Sequence, residues 1–259
     1  MSRRLVFAGL ICICALASVS GQAPAPRPAY TPRKNAMGQP DISGVWQALN
    51  SAAWDIEGHA GATGVPAGRS VVEGGVIPYT AAALARRKEN FASRKTLDPE
   101  TKCWLPGVPR ITYMPYPFHI LQFPRYTVIN YEYMNTTRFI YMDDTGRPEA
   151  DVIDFFMGAS NGRWEGNTLV VDTTNNNDRT WFDRAGNFHS DALRLVERFT
   201  PIDADHLNYE VTIADPKTFT KPWKMSMPLY RRIENNAQLL EYECFAYAED
   251  DAEPAGGAK

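Results

Sequence analysis

The chain has 259 residues, a net charge of -3 and 44% apolar residues. That is enough chain for a sizeable core. The mixed charge, with no basic stripe, excludes nucleic acid as the expected partner. The first element in chain order is an export signal. Met1-Ser2-Arg3-Arg4 is short and basic, Leu5 to Ala17 is almost wholly apolar, and Val19-Ser20-Gly21 offers compact residues to a signal peptidase. The apolar run falls short of the roughly 20 residues that span a bilayer. Cleavage is expected after Gly21, with Ala23 as the alternative and an uncut anchor as the other reading. The expected location is periplasmic or secreted, with no membrane span after signal removal. Cys12 and Cys14 each follow an isoleucine, which argues against a lipoprotein.

Residues 22–40 are rich in proline and read as a flexible tether. A single domain over residues 41–248 follows, and residues 249–259 read as a disordered tail. Residues 58–75 are rich in glycine and read as a loop. Thr80 caps an Ala-rich stretch, and a helix is expected over residues 80–94. From residue 118 the period changes to two, most cleanly in Leu207-Asn208-Tyr209-Glu210-Val211-Thr212-Ile213. Turn signals such as Glu165-Gly166-Asn167 and Asp203-Ala204-Asp205 separate the runs. Their spacing predicts an antiparallel, up-and-down meander of about ten strands. A sheet of that size tends to close, because closure removes its edges. The fold class is mainly β, a closed barrel with one N-terminal helix, with a β-sandwich as the alternative.

Gly44-Val45-Trp46 on the first strand resembles the Gly-x-Trp that opens lipocalin and other calycin barrels. That resemblance implies a Trp plugging the barrel floor. A second resemblance rests on longer strings: Cys103-Trp104-Leu105-Pro106-Gly107-Val108-Pro109-Arg110, Met114-Pro115-Tyr116-Pro117-Phe118, Gly162-Arg163-Trp164-Glu165-Gly166-Asn167, and Asn177-Asp178-Arg179-Thr180-Trp181 continuing to Asp191. Over residues 40–245 these are similar to a large family of exported bacterial proteins. The resemblance implies export and brings no particular reaction. It also implies a histidine or an acid near residue 159, where this chain has Ala159.

After signal removal Cys103 and Cys244 remain. An even pair in an oxidising compartment suggests one disulfide, tying the approach to the barrel to its last strand. Two buried free thiols are the alternative. Within residues 126–142 a tight loop at Met134-Asn135-Thr136 would set Glu132 opposite Arg138, either as a polar device in the lumen beside Tyr131 or as surface decoration. In Asn175 to Arg184 a polar loop offers Asp178 and Asp183 as acids and Trp181 as a stacking surface; the plain alternative is a self-bonded loop plugged by Trp181. His189 and His119 are the candidate proton shuttles, although a strand histidine is more often a core or surface residue. Arg138 or Arg163 would hold an anionic group.

No His-Glu-x-x-His or Cys-x-x-Cys spacing occurs, so no zinc site is expected. Gly-x-Gly-x-x-Gly and Gly-x-Ser-x-Gly are absent too, so neither a nucleotide cofactor nor a nucleophile elbow is expected. Three readings follow. The first is an exported barrel holding a small hydrophobic or aromatic molecule in its lumen. The second is a cofactor-independent lyase, isomerase or hydrolase, using His189 or His119 with Asp178 or Glu132. The third is a structural or interaction protein of the cell envelope. The sequence is silent on oligomeric state.

Overall fold

The alternating runs form strands because one residue in two can be buried on a common face. In the computed structural model, residues 30–143 and 153–244 are described; the expected signal (1–21) and tail (249–259) lie outside them. Among the described residues there are nine strands: β1 (Gly44–Ala48), β2 (Phe118–Gln122), β3 (Tyr126–Tyr131), β4 (Thr136–Tyr141), β5 (Ala159–Glu165), β6 (Thr168–Thr174), β7 (Arg194–Pro201), β8 (His206–Ala214) and β9 (Trp223–Arg231). They pair in chain order, and β9 returns to β1 to close a barrel. Leu207, Tyr209, Val211 and Ile213 all point inward and are at most 1% exposed. In β6 the alternation fails because Leu169, Val170 and Val171 are all buried, so both faces of that strand are covered.

The expected mainly β, closed barrel is present, with nine strands among the described residues against about ten expected, and one of its junctions is parallel. Strand direction reverses at every antiparallel junction, so a closed ring of nine strands cannot be antiparallel throughout. The parallel junction falls between β4 and β5, and it is short: only Ile140 with Ser160 and Tyr141 with Asn161 are in register.

The two ends of the barrel differ. At one end short turns join the strands; Gly166, with φ +60°, opens the two-residue turn between Glu165 and Thr168. Near that end Trp46 is 1% exposed and donates Nε1–H to the Ile42 carbonyl at 3.0 Å. The guanidinium of Arg231 lies 4.2 Å from its ring centroid. Gly44 has φ +132°, and a Cβ there would run into Arg231. From Tyr30 onward, the chain expected as a tether lies partly against this end: Pro32 and Pro40 are buried, and Gln122 Nε2 donates to the Pro40 carbonyl at 3.0 Å.

At the other end the insertions are long and build a cap. Residues 49–117 carry α1 (Ala81–Ala92), α2 (Arg94–Leu97), a 3-10 turn (Pro99–Lys102) and α3 (Arg110–Tyr113). Thr80 caps α1, its Oγ1 accepting from the Ala83 N–H at 3.2 Å. The helix stops two residues before the expected end, and Arg94 starts a new turn. Ile56, Ile77, Ile111 and Phe182 of the cap join the strand residues in one apolar core. Cys103 and Cys244 form a disulfide with Cα atoms 5.6 Å apart. Cys244 lies beyond β9, so the bond holds the segment after the last strand against the cap, not the strand itself. Among the described residues no helix is long and apolar enough to cross a membrane.

Candidate functional site

Inside the barrel one polar cluster interrupts the apolar core. Arg138 and Glu197 are 3% and 0% exposed. Arg138 Nη1 donates to Glu197 Oε1 at 3.0 Å, and Nη2 donates to Oε2. Arg138 Nε donates to Ser160 Oγ at 3.0 Å, and Nη2 to Thr173 Oγ1 at 2.9 Å. The Tyr209 hydroxyl donates to Glu197 Oε1 at 2.7 Å. Tyr131 OH lies 3.3 Å from Thr112 Oγ1 in the same interior.

Arg138 is therefore inward, but its expected partner is corrected. The turn carries positive φ at Met134 and Asn135, and Tyr131 pairs with Thr136. Arg138 then stands opposite Ile129, three residues away from Glu132. An odd register shift moves a residue to the other face, so Arg138 shares the face of Ile129 and Tyr131. Glu132 instead accepts from the Leu240 N–H at 2.8 Å and tethers the segment after β9.

The other expected residues are scattered. His189 is 1% exposed. Its Nε2 lies 2.6 Å from Thr180 Oγ1 and its Nδ1 3.0 Å from the Ser190 carbonyl. A neutral ring satisfies both contacts, donating from Nδ1 to the carbonyl and accepting at Nε2 from the hydroxyl. Burial lowers its pKa in the same sense. Asp178 is exposed and gives His189 only a distant charge. His119 lies on the outer face of β2, half-buried, with its pKa lowered by partial burial. Trp181 packs with Ala83 and Phe188 under α1. Arg163 is exposed and engages Asp172 and Glu165 on the outer wall. The structure brings none of these into one acid–base couple.

The largest of the described cavities is not formed by the inward faces of the strands. It has a volume of about 620 Å³ and lies at the capped mouth. The cap loop, α1, α2, the 3-10 turn, the Arg184–Ala185 loop and the disulfide-tied segment with Tyr242 wall it. Trp54, Phe91, Tyr133 and Tyr242 supply flat apolar surface. Tyr242 stacks on Tyr133 with ring centroids 5.1 Å apart. Tyr133 is 1% exposed, and its hydroxyl has no hydrogen-bond partner. An unsatisfied buried hydroxyl costs about 1–3 kcal/mol, and this one is shielded from the open cavity.

Charge at this mouth is ordered by a buried network. Arg110, 1% exposed, donates to both Asp98 oxygens at 2.9 and 3.1 Å and to Glu100 at 2.7 Å. Arg184 grips Glu100 bidentately at 2.8 and 2.6 Å and lies 4.9 Å from the Trp54 ring centroid. Burial pushes the Glu100 carboxyl up, but the Arg184 hydrogen bond and the Arg110 charge hold it below its ordinary range. His59 is committed to the cavity wall: its ring nitrogens lie 2.9 Å from the Glu57 carbonyl and 3.0 Å from that of Pro66. Gly68 is required beside it, because a Cβ would run into Ser51 and His59.

Asp183, offered by the sequence as an acid of the polar loop, is fully buried and bonded within that loop, as in the plain alternative, and reaches the cavity only through Asn187 and Asp55. It accepts from the N–H groups of Ile56 (2.9 Å), Ala185 (2.9 Å) and Asn187 (3.2 Å), and from Asn187 Nδ2 (2.6 Å). The same Asn187 Nδ2 lies 3.3 Å from Oδ1 of Asp55, which lines the cavity. Burial and the Asp55 charge push Asp183 up to about 7 against these donors, and burial raises Asp55 as well. Between the ordinary value of 3.8 and about 7, the folded state holds a proton that the unfolded chain releases. The contribution of Asp183 is thus complete below pH 3.8 and is lost as pH rises to about 7. Urea unfolding between pH 4 and 8 should show this decline, and Asp183→Asn should flatten it; an unchanged slope in the variant would contradict the assignment.

The sequence reading missed Asp55, Trp54, Arg94, Lys95, Glu100, Arg110 and Glu197. Only Glu197 carried a signal: it stands in phase with inward Leu195 and Phe199, where an apolar residue is expected. Among the described residues no group of three His, Cys, Asp or Glu is placed to hold a metal ion. Comparison with family models, curated proteins and solved structures finds no match to this chain.

Proposed function

We propose that this protein binds a small, largely apolar or aromatic molecule at the capped mouth of the barrel, outside the cytoplasm. The observation that carries the reading is the cavity of about 620 Å³, walled by the rings of Trp54, Phe91 and Tyr242 together with a few polar groups. Its size falls within the roughly 300–1,000 Å³ of small-molecule sites, and a few polar groups amid apolar walls is their usual composition. The disulfide supports an oxidising compartment. The lumen is a weaker candidate, because its inward side chains pack on one another and its charges are paired.

A neutral fluorescent probe, N-phenyl-1-naphthylamine, tests the reading. One equivalent should bind with enhanced emission, and Ala62→Trp, which fills the cavity rim, should weaken binding at least tenfold while circular dichroism stays unchanged. No enhancement, or equal binding by the variant, would sink the proposal. A second reading, cofactor-independent proton transfer, is favoured by the Asp55–Asn187–Asp183 arrangement. It replaces the expected histidine–carboxylate couple with two carboxyl groups, only one of which lines the cavity. Its test is incorporation of solvent deuterium into a co-purifying ligand, which Asp55→Asn should abolish.

A further inference from the structure

Resting on the mouth-cavity reading, we infer that the site selects a small aromatic carboxylate over its neutral counterpart. Each carboxylate that lines the cavity already has an arginine. Asp98 and Glu100 are held by Arg110, Glu100 also by Arg184, and Asp55 lies 3.6 Å from Arg87. Arg94 and Lys95 line the same cavity from α2, and neither has a carboxylate within ion-pair distance among the described residues. Arg94 Nη1 donates to the Phe91 carbonyl at 2.6 Å, and its guanidinium lies 4.1 Å from the Phe91 ring centroid. That contact holds the cation at the edge of an aromatic wall and leaves further N–H donors to spare.

Once the internal pairs are assigned, the two positive charges of Arg94 and Lys95 remain at the rim. These two side chains leave the rim with positive charge and spare N–H donors. A ligand complementary to that surface brings acceptors and negative charge, and guanidinium matches a carboxylate in geometry as well as charge. Trp54, Phe91 and Tyr242, which line the cavity and keep accessible ring surface, suit an aromatic body. A planar ring bearing a carboxylate meets both demands, with its charge at Arg94 and Lys95 and its ring against the aromatic wall. Because both cations are partly solvated, the preference is one that salt weakens.

The test compares 2-naphthoate with 2-naphthamide, its neutral counterpart of nearly the same shape, by isothermal titration calorimetry on the full chain. Naphthoate should bind at least tenfold more tightly at low ionic strength, and the ratio should shrink severalfold in 0.5 M salt. In Arg94→Gln/Lys95→Gln the ratio should fall to about one. If naphthamide binds as well as naphthoate, or the double variant keeps the preference, the inference is overturned while the cavity reading stands. If neither compound binds and N-phenyl-1-naphthylamine does not bind either, both readings fall together. If only the naphthylamine binds, the aromatic-carboxylate inference alone is lost.

Discussion

Replacing Arg138 with methionine should destabilise the protein by about 3–5 kcal/mol, the usual cost of leaving one member of a buried ion pair alone. Glu197 is 0% exposed and would lose both guanidinium donors, keeping only the hydroxyls of Tyr209 and Thr173. The position matters as much as the charge. Arg138 is on β4, and its Nε reaches Ser160 on β5 across the parallel junction, where the backbone register spans only two pairs. Its other contacts run to Thr173 on β6 and Glu197 on β7. One side chain thus bridges the shortest seam of the barrel to the strands beyond it. Urea unfolding should give the loss in stability, and hydrogen exchange should show β4 and β5 losing protection before β7 to β9. Combining Arg138→Met with Glu197→Gln should cost less than the sum of the single changes, by about 0.5–3 kcal/mol of coupling. Strict additivity, or uniform loss of protection, would refute the bridging role.

Removing the disulfide by Cys103→Ser/Cys244→Ser should cost about 2–5 kcal/mol, since the bond closes a loop with a sequence separation of 141. The consequence is expected to be local as well as global. Cys244 and Tyr242 wall the mouth cavity, and Tyr242 packs against Tyr116 and Tyr133 at ring separations of 4.6 and 5.1 Å. With the bond gone, the segment after β9 is held by Glu132 at Leu240 and by these ring contacts. Probe binding at the mouth should therefore weaken under reductant before the barrel itself unfolds. A variant that loses stability yet binds N-phenyl-1-naphthylamine with unchanged affinity would show that the tied segment does not form the wall.

Much of the barrel was legible because alternation is a local property. Leu207 to Ile213 can bury one face only as a strand, and a meander of such strands closes to remove its edges. The cap of α1 was equally local, written in Thr80 and the alanines after it. The cysteine pair was expected from parity, and the structure joins it. Register was not legible: the turn at Met134–Asn135 places Arg138 opposite Ile129, and a shift of three residues separates it from Glu132. Nor was the parallel seam, which follows from counting strands around a closed ring.

The candidate site was legible least of all. Trp54, Phe91, Glu100, Tyr133, Arg184 and Tyr242 come from segments far apart in the chain, and no spacing rule links them. Alternating strands, a capped helix and two cysteines able to pair could be read from the order of residues. Those depend on neighbours within a few residues, or on composition. The face that Arg138 occupies, the contacts of His189 with Thr180 and Ser190, and the place of the main described cavity at the capped mouth emerge only once the chain is folded. Those depend on register, burial and long-range packing, which the order of residues along the chain does not display.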